Sequence, residues 1–145
     1  MSPPRFCRIL LIEDDELRIE TIQSWLPEDI RLVVARSAGR AIGTLRMDPP
    51  DTYAGVMLDR DLHQHATSTA ELALSGTNLV GLIIQRVDLN AAVMVHSMNL
   101  AHAPSMVDQL NAAGFWTSYV PFVRLTREGF NNWVSEVREL WVDRA

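Results

Sequence analysis

Three short apolar runs in this 145-residue chain end in residues that can do chemistry. Arg8 to Ile12 is followed by Glu13 and Asp14, Tyr53 to Leu58 by Asp59 and then Asp61, and Ala92 to Val95 by His96, Ser97, Met98 and Asn99. If the three runs are parallel strands of one sheet, these residues gather at its carboxyl edge, where open α/β sheets bind ligands. Carboxylates drawn together there repel one another unless a cation sits between them. An oxygen-rich set of this kind suits a hard divalent ion, Mg²⁺ or Mn²⁺.

The elements that must position these residues follow from the alternation of apolar runs with stretches of helical spacing, which is the pattern of a parallel α/β sheet. Five strand–helix pairs can be read. The strands are Arg8 to Ile12, Arg31 to Ala35, Tyr53 to Leu58, Ala92 to Val95 and Phe115 to Tyr119. The first helix starts near Asp15 as N-cap and buries Leu17, Ile22, Trp25 and Leu26. Ser37 caps the second, through Ala41, Ile42 and Leu45, which stops at Pro49 and Pro50. A third begins at Thr77 and turns Leu79, Val80, Ile83 and Ile84 inward. The fourth runs from Ala103, with Pro104 in its first turn, to Gly114 as its C′ residue. The last, from Thr126 to about Val142, buries Phe130, Trp133, Val134, Val137, Leu140 and Trp141. Between Asp59 and Gly76 lies a long polar loop, with at most a short turn around Glu71 to Leu74.

Composition narrows the function classes. The length fits one compact domain. With 18 acids against 13 bases the net charge is -5, which argues against general attraction to nucleic acid or to an anionic membrane and leaves a protein or small ligand as the default partner. Cys7 is the only cysteine, so neither an internal disulfide nor a cysteine-based zinc site is available, and a reducing, cytoplasmic setting is expected. No signal peptide or membrane anchor is read, since Ile9 to Ile12 is too short to span a bilayer and Glu13 ends it. All 13 bases are arginine; the sequence has no lysine.

The segments ILLIEDD (Ile9 to Asp15), VMLDRDL (Val56 to Leu62), VHSMN (Val95 to Asn99) and YVPF (Tyr119 to Phe122) resemble a response-regulator receiver domain over nearly the whole chain. The resemblance implies a (βα)5 doubly wound parallel sheet, the flavodoxin-like receiver fold, with strand order 2-1-3-4-5. It implies Mg²⁺ or Mn²⁺ held by Glu13, Asp14, Asp59 and the backbone carbonyl of Asp61. Asp59 takes the phosphoacceptor position and Ser97 that of the switch hydroxyl. It also implies a protein partner, a histidine kinase or an output protein. In receivers the face of the fourth helix, fifth strand and fifth helix commonly meets partners, and an exposed Trp116 there would favour a homodimer. The family often has a cis peptide where Val120-Pro121 stands.

Two departures separate this chain from ordinary receivers. Val120 stands where receivers carry a lysine that pairs with the acyl-phosphate, and only Arg60 and Arg124 suggest themselves as substitute charges, with a different geometry. The loop after Asp59 is roughly nine residues longer than usual, which aligns Gly76 with the family's glycine before the third helix and suits a lid over the acidic edge. The LDRDL segment and the HSMN block are similar to a receiver-like branch proposed to process cyclic phosphates. In that setting His96 would act as acid or base, with Ser97 and Asn99 donating hydrogen bonds. The leading expectation is an atypical receiver domain in signal transduction. The alternatives are an enzyme or sensor for a cyclic phosphate and an interaction scaffold with an inactive site. His63, His65 and His102 form a weaker candidate for zinc.

Overall fold

A computed structural model of the protein describes residues 7–62 and 74–142. Its strands are β1 (Cys7–Ile12), β2 (Ile30–Ala35), β3 (Gly55–Leu58), β4 (Ala92–Val95) and β5 (Trp116–Tyr119). They form one parallel sheet in the order β2-β1-β3-β4-β5. The helices are α1 (Glu16–Trp25), α2 (Ala38–Met47), α3 (Gly76–Arg86), α4 (Ala103–Ala112) and α5 (Arg127–Val142), with a 3₁₀ turn at Phe122–Arg124. The long loop between β3 and α3 lies largely outside the described residues, as do His63 and His65.

Strand alternation sorts the core into two layers, one on each face of the sheet. Leu10, Ile12, Val56, Leu58, Val93 and Val95 pack with residues of α2, α3 and α4. Ile9, Leu11, Met57, Ala92 and Met94 pack with Ile19 and Ile22 of α1 and with Phe130, Trp133, Val134 and Val137 of α5. The two caps read from sequence are in place. Asp15 accepts the Arg18 N–H at 3.1 Å and Ser37 the Arg40 N–H at 3.1 Å. Gly114 has φ of 105°, which L side chains rarely adopt, and closes α4.

Several expectations need correction. Leu17 is exposed, not buried, because it lies five residues from Ile22 and so ~140° around the helix. The buried pair on α1 is Ile19 and Ile22, with Trp25 and Leu26 packed partly against the same layer. The third helix begins at Gly76, with Ser75 as N-cap and the Asn78 carboxamide accepting the Ser75 N–H at 2.8 Å, one residue earlier than expected. Ile84 lies on the open side of α3, since Leu79, Val80 and Ile83 already fill its sheet-facing side. The Val120–Pro121 peptide is trans, the isomer favoured for most X–Pro bonds. The tryptophans divide, with Trp133 and Trp141 buried and Trp116 55% exposed.

Candidate functional site

The sheet register sets the site. Ile12, Leu58 and Val95 are partners across β1, β3 and β4, so the residues that follow them, Glu13, Asp59 and His96, form the next row. The ladder continues into that row: Asp59 N–H donates to the Ile12 carbonyl and His96 N–H to the Leu58 carbonyl, both at 3.1 Å. Because the side chains of Ile12, Leu58 and Val95 point toward the α2–α3–α4 layer, alternation turns the next row toward α1 and α5. One ligand atom from each of Glu13, Asp59 and His96 lies within 4.8 Å of the others, and all three residues are buried.

Each group is fixed by local contacts. Glu13 Oε2 accepts the Asp14 and Asp15 N–H groups at 2.9 and 3.2 Å, and its Oε1 lies 3.2 Å from His96 Nε2. Burial opposes ionisation of Glu13, but the His96 hydrogen bond and charge, the backbone N–H and Arg18 outweigh it and hold the carboxyl at about 2. Asp59 goes the other way. Burial, with the Glu13 charge and hydrogen bond beside it, lifts its carboxyl from 3.8 to about 6, against the opposing pull of His96 and the Arg60 amide.

The two Asp59 oxygens are not equivalent. Oδ1 accepts the Arg60 N–H at 2.7 Å and lies 3.4 Å from the Asp61 amide nitrogen, while Oδ2 faces Arg18 Nη1 at 3.6 Å. The backbone therefore holds one oxygen, while the other lies against the Arg18 side chain. His96 Nδ1 is buried with no hydrogen-bond partner among the described residues.

The other residues singled out from sequence lie around this row. Asp14 is buried next to Glu13 but is not one of the three converging groups. Asp61 is exposed and its Oδ1 receives Arg60 Nη1 at 3.0 Å. Ser97 is buried and its Oγ accepts the Asn99 N–H at 3.0 Å, while Asn99 Oδ1 accepts the His102 N–H at 3.2 Å. Ser97 and Asn99 thus organise the turn into α4. Neither suggested arginine substitute reaches Asp59: Arg60 is paired with its neighbour Asp61, and Arg124 is exposed beyond β5.

Arg18 does not stand out in the sequence. Its Nη1 lies 3.5 Å from Glu13 Oε1 and 3.6 Å from Asp59 Oδ2, and its guanidinium carbon sits 5.2 Å from the centroid of the Phe122 ring. The one signal for it is its place in the first turn of α1, three residues past the Asp15 cap, because helical side chains lean back toward the N-terminus.

No family model and no curated protein sequence matches the chain. Solved structures do. The signal receiver domain of a LuxO repressor protein from Vibrio parahaemolyticus superimposes with a TM-score of 0.70 at 14% identity, over 96% of this chain and 95% of that one. A response regulator from Burkholderia pseudomallei, solved with a phosphorylated aspartic acid, calcium ion and citrate, gives 0.63 at 15% identity over 96% of this chain and 73% of that one. The receiver domain of the Pseudomonas aeruginosa sensor histidine kinase PA1611, with magnesium in its active-site cleft, gives 0.62 at 14% identity over 94% and 98%. At these identities the likeness is one of architecture: the chain has the fold of response-regulator receiver domains.

Proposed function

We propose that this chain works as an atypical receiver domain in signal transduction, whose buried pocket binds a divalent cation and accepts a phosphoryl group on Asp59. The observation that carries this reading is the asymmetry of the Asp59 carboxylate, with Oδ1 tied to backbone amides and Oδ2 free of them and facing the Arg18 guanidinium. In the reaction Oδ2 attacks the phosphorus of an acyl phosphate donor, the new P–O bond forms, and the bond to the donor carboxylate breaks as that group leaves with the electron pair. A carboxyl lifted to about 6 is ionised at neutral pH yet more basic than an ordinary aspartate, which suits a nucleophile.

The residues present fit a divalent cation. Glu13 and Asp59 supply carboxylate oxygens and His96 an imidazole nitrogen within one buried cluster, and Asp14 and the Asp61 carbonyl are the further donors we assign. A bound ion there would neutralise charge on the transferring phosphoryl oxygens. The imidazole nitrogen shifts the preference from Mg²⁺ toward Mn²⁺. Magnesium and calcium in the two compared structures support a divalent ion in this fold. Output would pass to a protein partner, with the exposed Trp116 edge of α4, β5 and α5 as the contact face, in a homodimer or with another protein.

The test is incubation with acetyl phosphate and either Mn²⁺ or Mg²⁺, followed by intact-mass measurement. The expected result is a gain of one phosphoryl group, faster with Mn²⁺ and absent in Asp59→Asn. An unmodified wild-type chain under both ions overturns the phosphoacceptor reading.

A second reading has its own support. His96 is buried and paired with a carboxylate, the arrangement of an oriented acid or base, and this favours action on a cyclic phosphate. It predicts metal-dependent opening of a cyclic phosphodiester that is lost in His96→Ala. The interaction-scaffold reading predicts neither activity.

A further inference from the structure

The pocket contains a cation that the lysine-free sequence did not advertise, and its position relative to the reactive oxygen gives it a role. Arg18 stands on α1, and its guanidinium lies over the ring of Phe122, in the turn directly after β5. That turn is tied to the site by the Phe122 N–H, which donates to the His96 carbonyl at 3.0 Å, and the Phe122 ring meets the His96 ring edge-on at 6.4 Å. The guanidinium is therefore placed by an aromatic face as well as by the carboxylates. Among the described residues it is the side-chain cation within ion-pair distance of Asp59.

Two consequences follow from the distances. Nη1 faces Oδ2, the oxygen the backbone amides leave unheld, so an anionic group placed on Oδ2 brings its own oxygens within reach of the guanidinium, whose remaining N–H donors suit a tetrahedral or trigonal oxyanion. The same Nη1 lies 3.5 Å from Glu13 Oε1, so without an anion it occupies the positive position between the two carboxylates that a divalent cation would also seek.

We infer that Arg18 is the phosphoryl-binding residue of this pocket and an internal counter-ion that competes with the divalent cation until an anion on Asp59 draws it away. The inference rests on the reading that Asp59 and Glu13 form a metal and phosphoryl pocket. It makes divalent binding and anion binding respond in opposite directions to loss of one side chain, which a merely structural arginine would not do. Metal and phosphoryl binding then reinforce each other, because the anion that recruits Arg18 also frees Glu13 for the ion.

The experiment titrates Mn²⁺ by calorimetry into wild type, Arg18→Ala and Arg18→Lys, then titrates beryllofluoride, a phosphoryl mimic, at saturating Mn²⁺. The Asp15 cap is bonded by the Arg18 backbone N–H, so the alanine variant keeps the start of α1, which circular dichroism checks. We expect Arg18→Ala to bind Mn²⁺ roughly tenfold more tightly and beryllofluoride at least roughly tenfold more weakly. Arg18→Lys should recover part of the anion affinity, since the charge is kept and the planar fork is lost. Variants that match wild type in both titrations, or that lose both affinities in parallel, overturn the role of Arg18 and leave the pocket standing. A wild type that binds neither Mn²⁺ nor beryllofluoride overturns the pocket and this inference with it.

Discussion

In metal-free buffer at pH 8, Asp59→Asn should melt at a higher temperature than the wild type, although it removes the residue on which the proposed activity depends. An ionised carboxylate is an uncomfortable occupant of this position, buried beside Glu13. Lifting the carboxyl from 3.8 to about 6 corresponds to about 3 kcal/mol against the charged form. The amide also gives up the ion pair with Arg18, so a net gain of ~1–2 kcal/mol is expected, or roughly 3–8 °C in Tm. The pH dependence follows from the direction of each shift. Asp59 is more basic folded than unfolded, so its contribution to stability is full below about 4 and is lost as pH rises through about 6. Glu13 is more acidic folded than unfolded, so its contribution is present above about 4.5 and is lost as pH falls toward 2. Thermal melts of the apo wild type should therefore peak between about pH 4 and 4.5, with a decline on the alkaline side that Asp59→Asn flattens. Added Mn²⁺ should reverse the ranking at pH 8 by stabilising the wild type alone. An Asp59→Asn protein that melts below the metal-free wild type at pH 8 would show that the carboxylate is not strained there.

The sequence is most informative where one backbone rule acts locally. Asp15 and Ser37 are legible as caps because a short acceptor before a helical stretch meets its orphan N–H groups wherever the helix packs. The row of Glu13, Asp59 and His96 is half legible. The apolar runs mark their strand ends, but only the register shows that His96 rather than Ser97 shares a level with the two acids, since a shift of one residue turns a side chain to the other face. Leu17 misleads because an apolar residue near a helix start reads as core until Ile19 and Ile22 together fix which side of α1 meets the sheet. Arg18 is hidden for another reason. A long side chain finds its place through tertiary contacts, and Phe122 comes from the far end of the chain. The missing lysine directs attention to Arg60 and Arg124, while the guanidinium that lies 3.6 Å from Asp59 Oδ2 comes from the first helix.

Gly76→Ala should damage both fold and site, and the same family of substitutions provides its control. Gly76 is the first residue of α3, and its N–H donates to the Arg60 carbonyl at 2.7 Å. Its φ is not positive, so glycine is not required there for backbone freedom. It is required for space. A Cβ at this position would lie 2.0 Å from the Asp59 carbonyl oxygen, 2.7 Å from the Arg60 Cα and 2.8 Å from the Asp59 carbonyl carbon, all backbone atoms that cannot rotate away. Admitting one methyl group means parting α3 from the Asp59–Arg60 segment, which strains the Gly76–Arg60 hydrogen bond and shifts the two amides that hold Asp59 Oδ1. A loss of ~3 kcal/mol or more is expected in denaturant melts, and phosphoryl acceptance should fall even where the protein still folds. Gly43 and Gly81, inside α2 and α3, have nothing within 4 Å of where a Cβ would stand, and alanine there should stabilise by ~0.5–1 kcal/mol through helix propensity alone. The three variants differ from wild type by the same single carbon, so a difference in sign isolates the contact with the Asp59 backbone. A Gly76→Ala protein that melts with Gly43→Ala would show that α3 is free to move away from the acceptor loop, and that the loop does not depend on it.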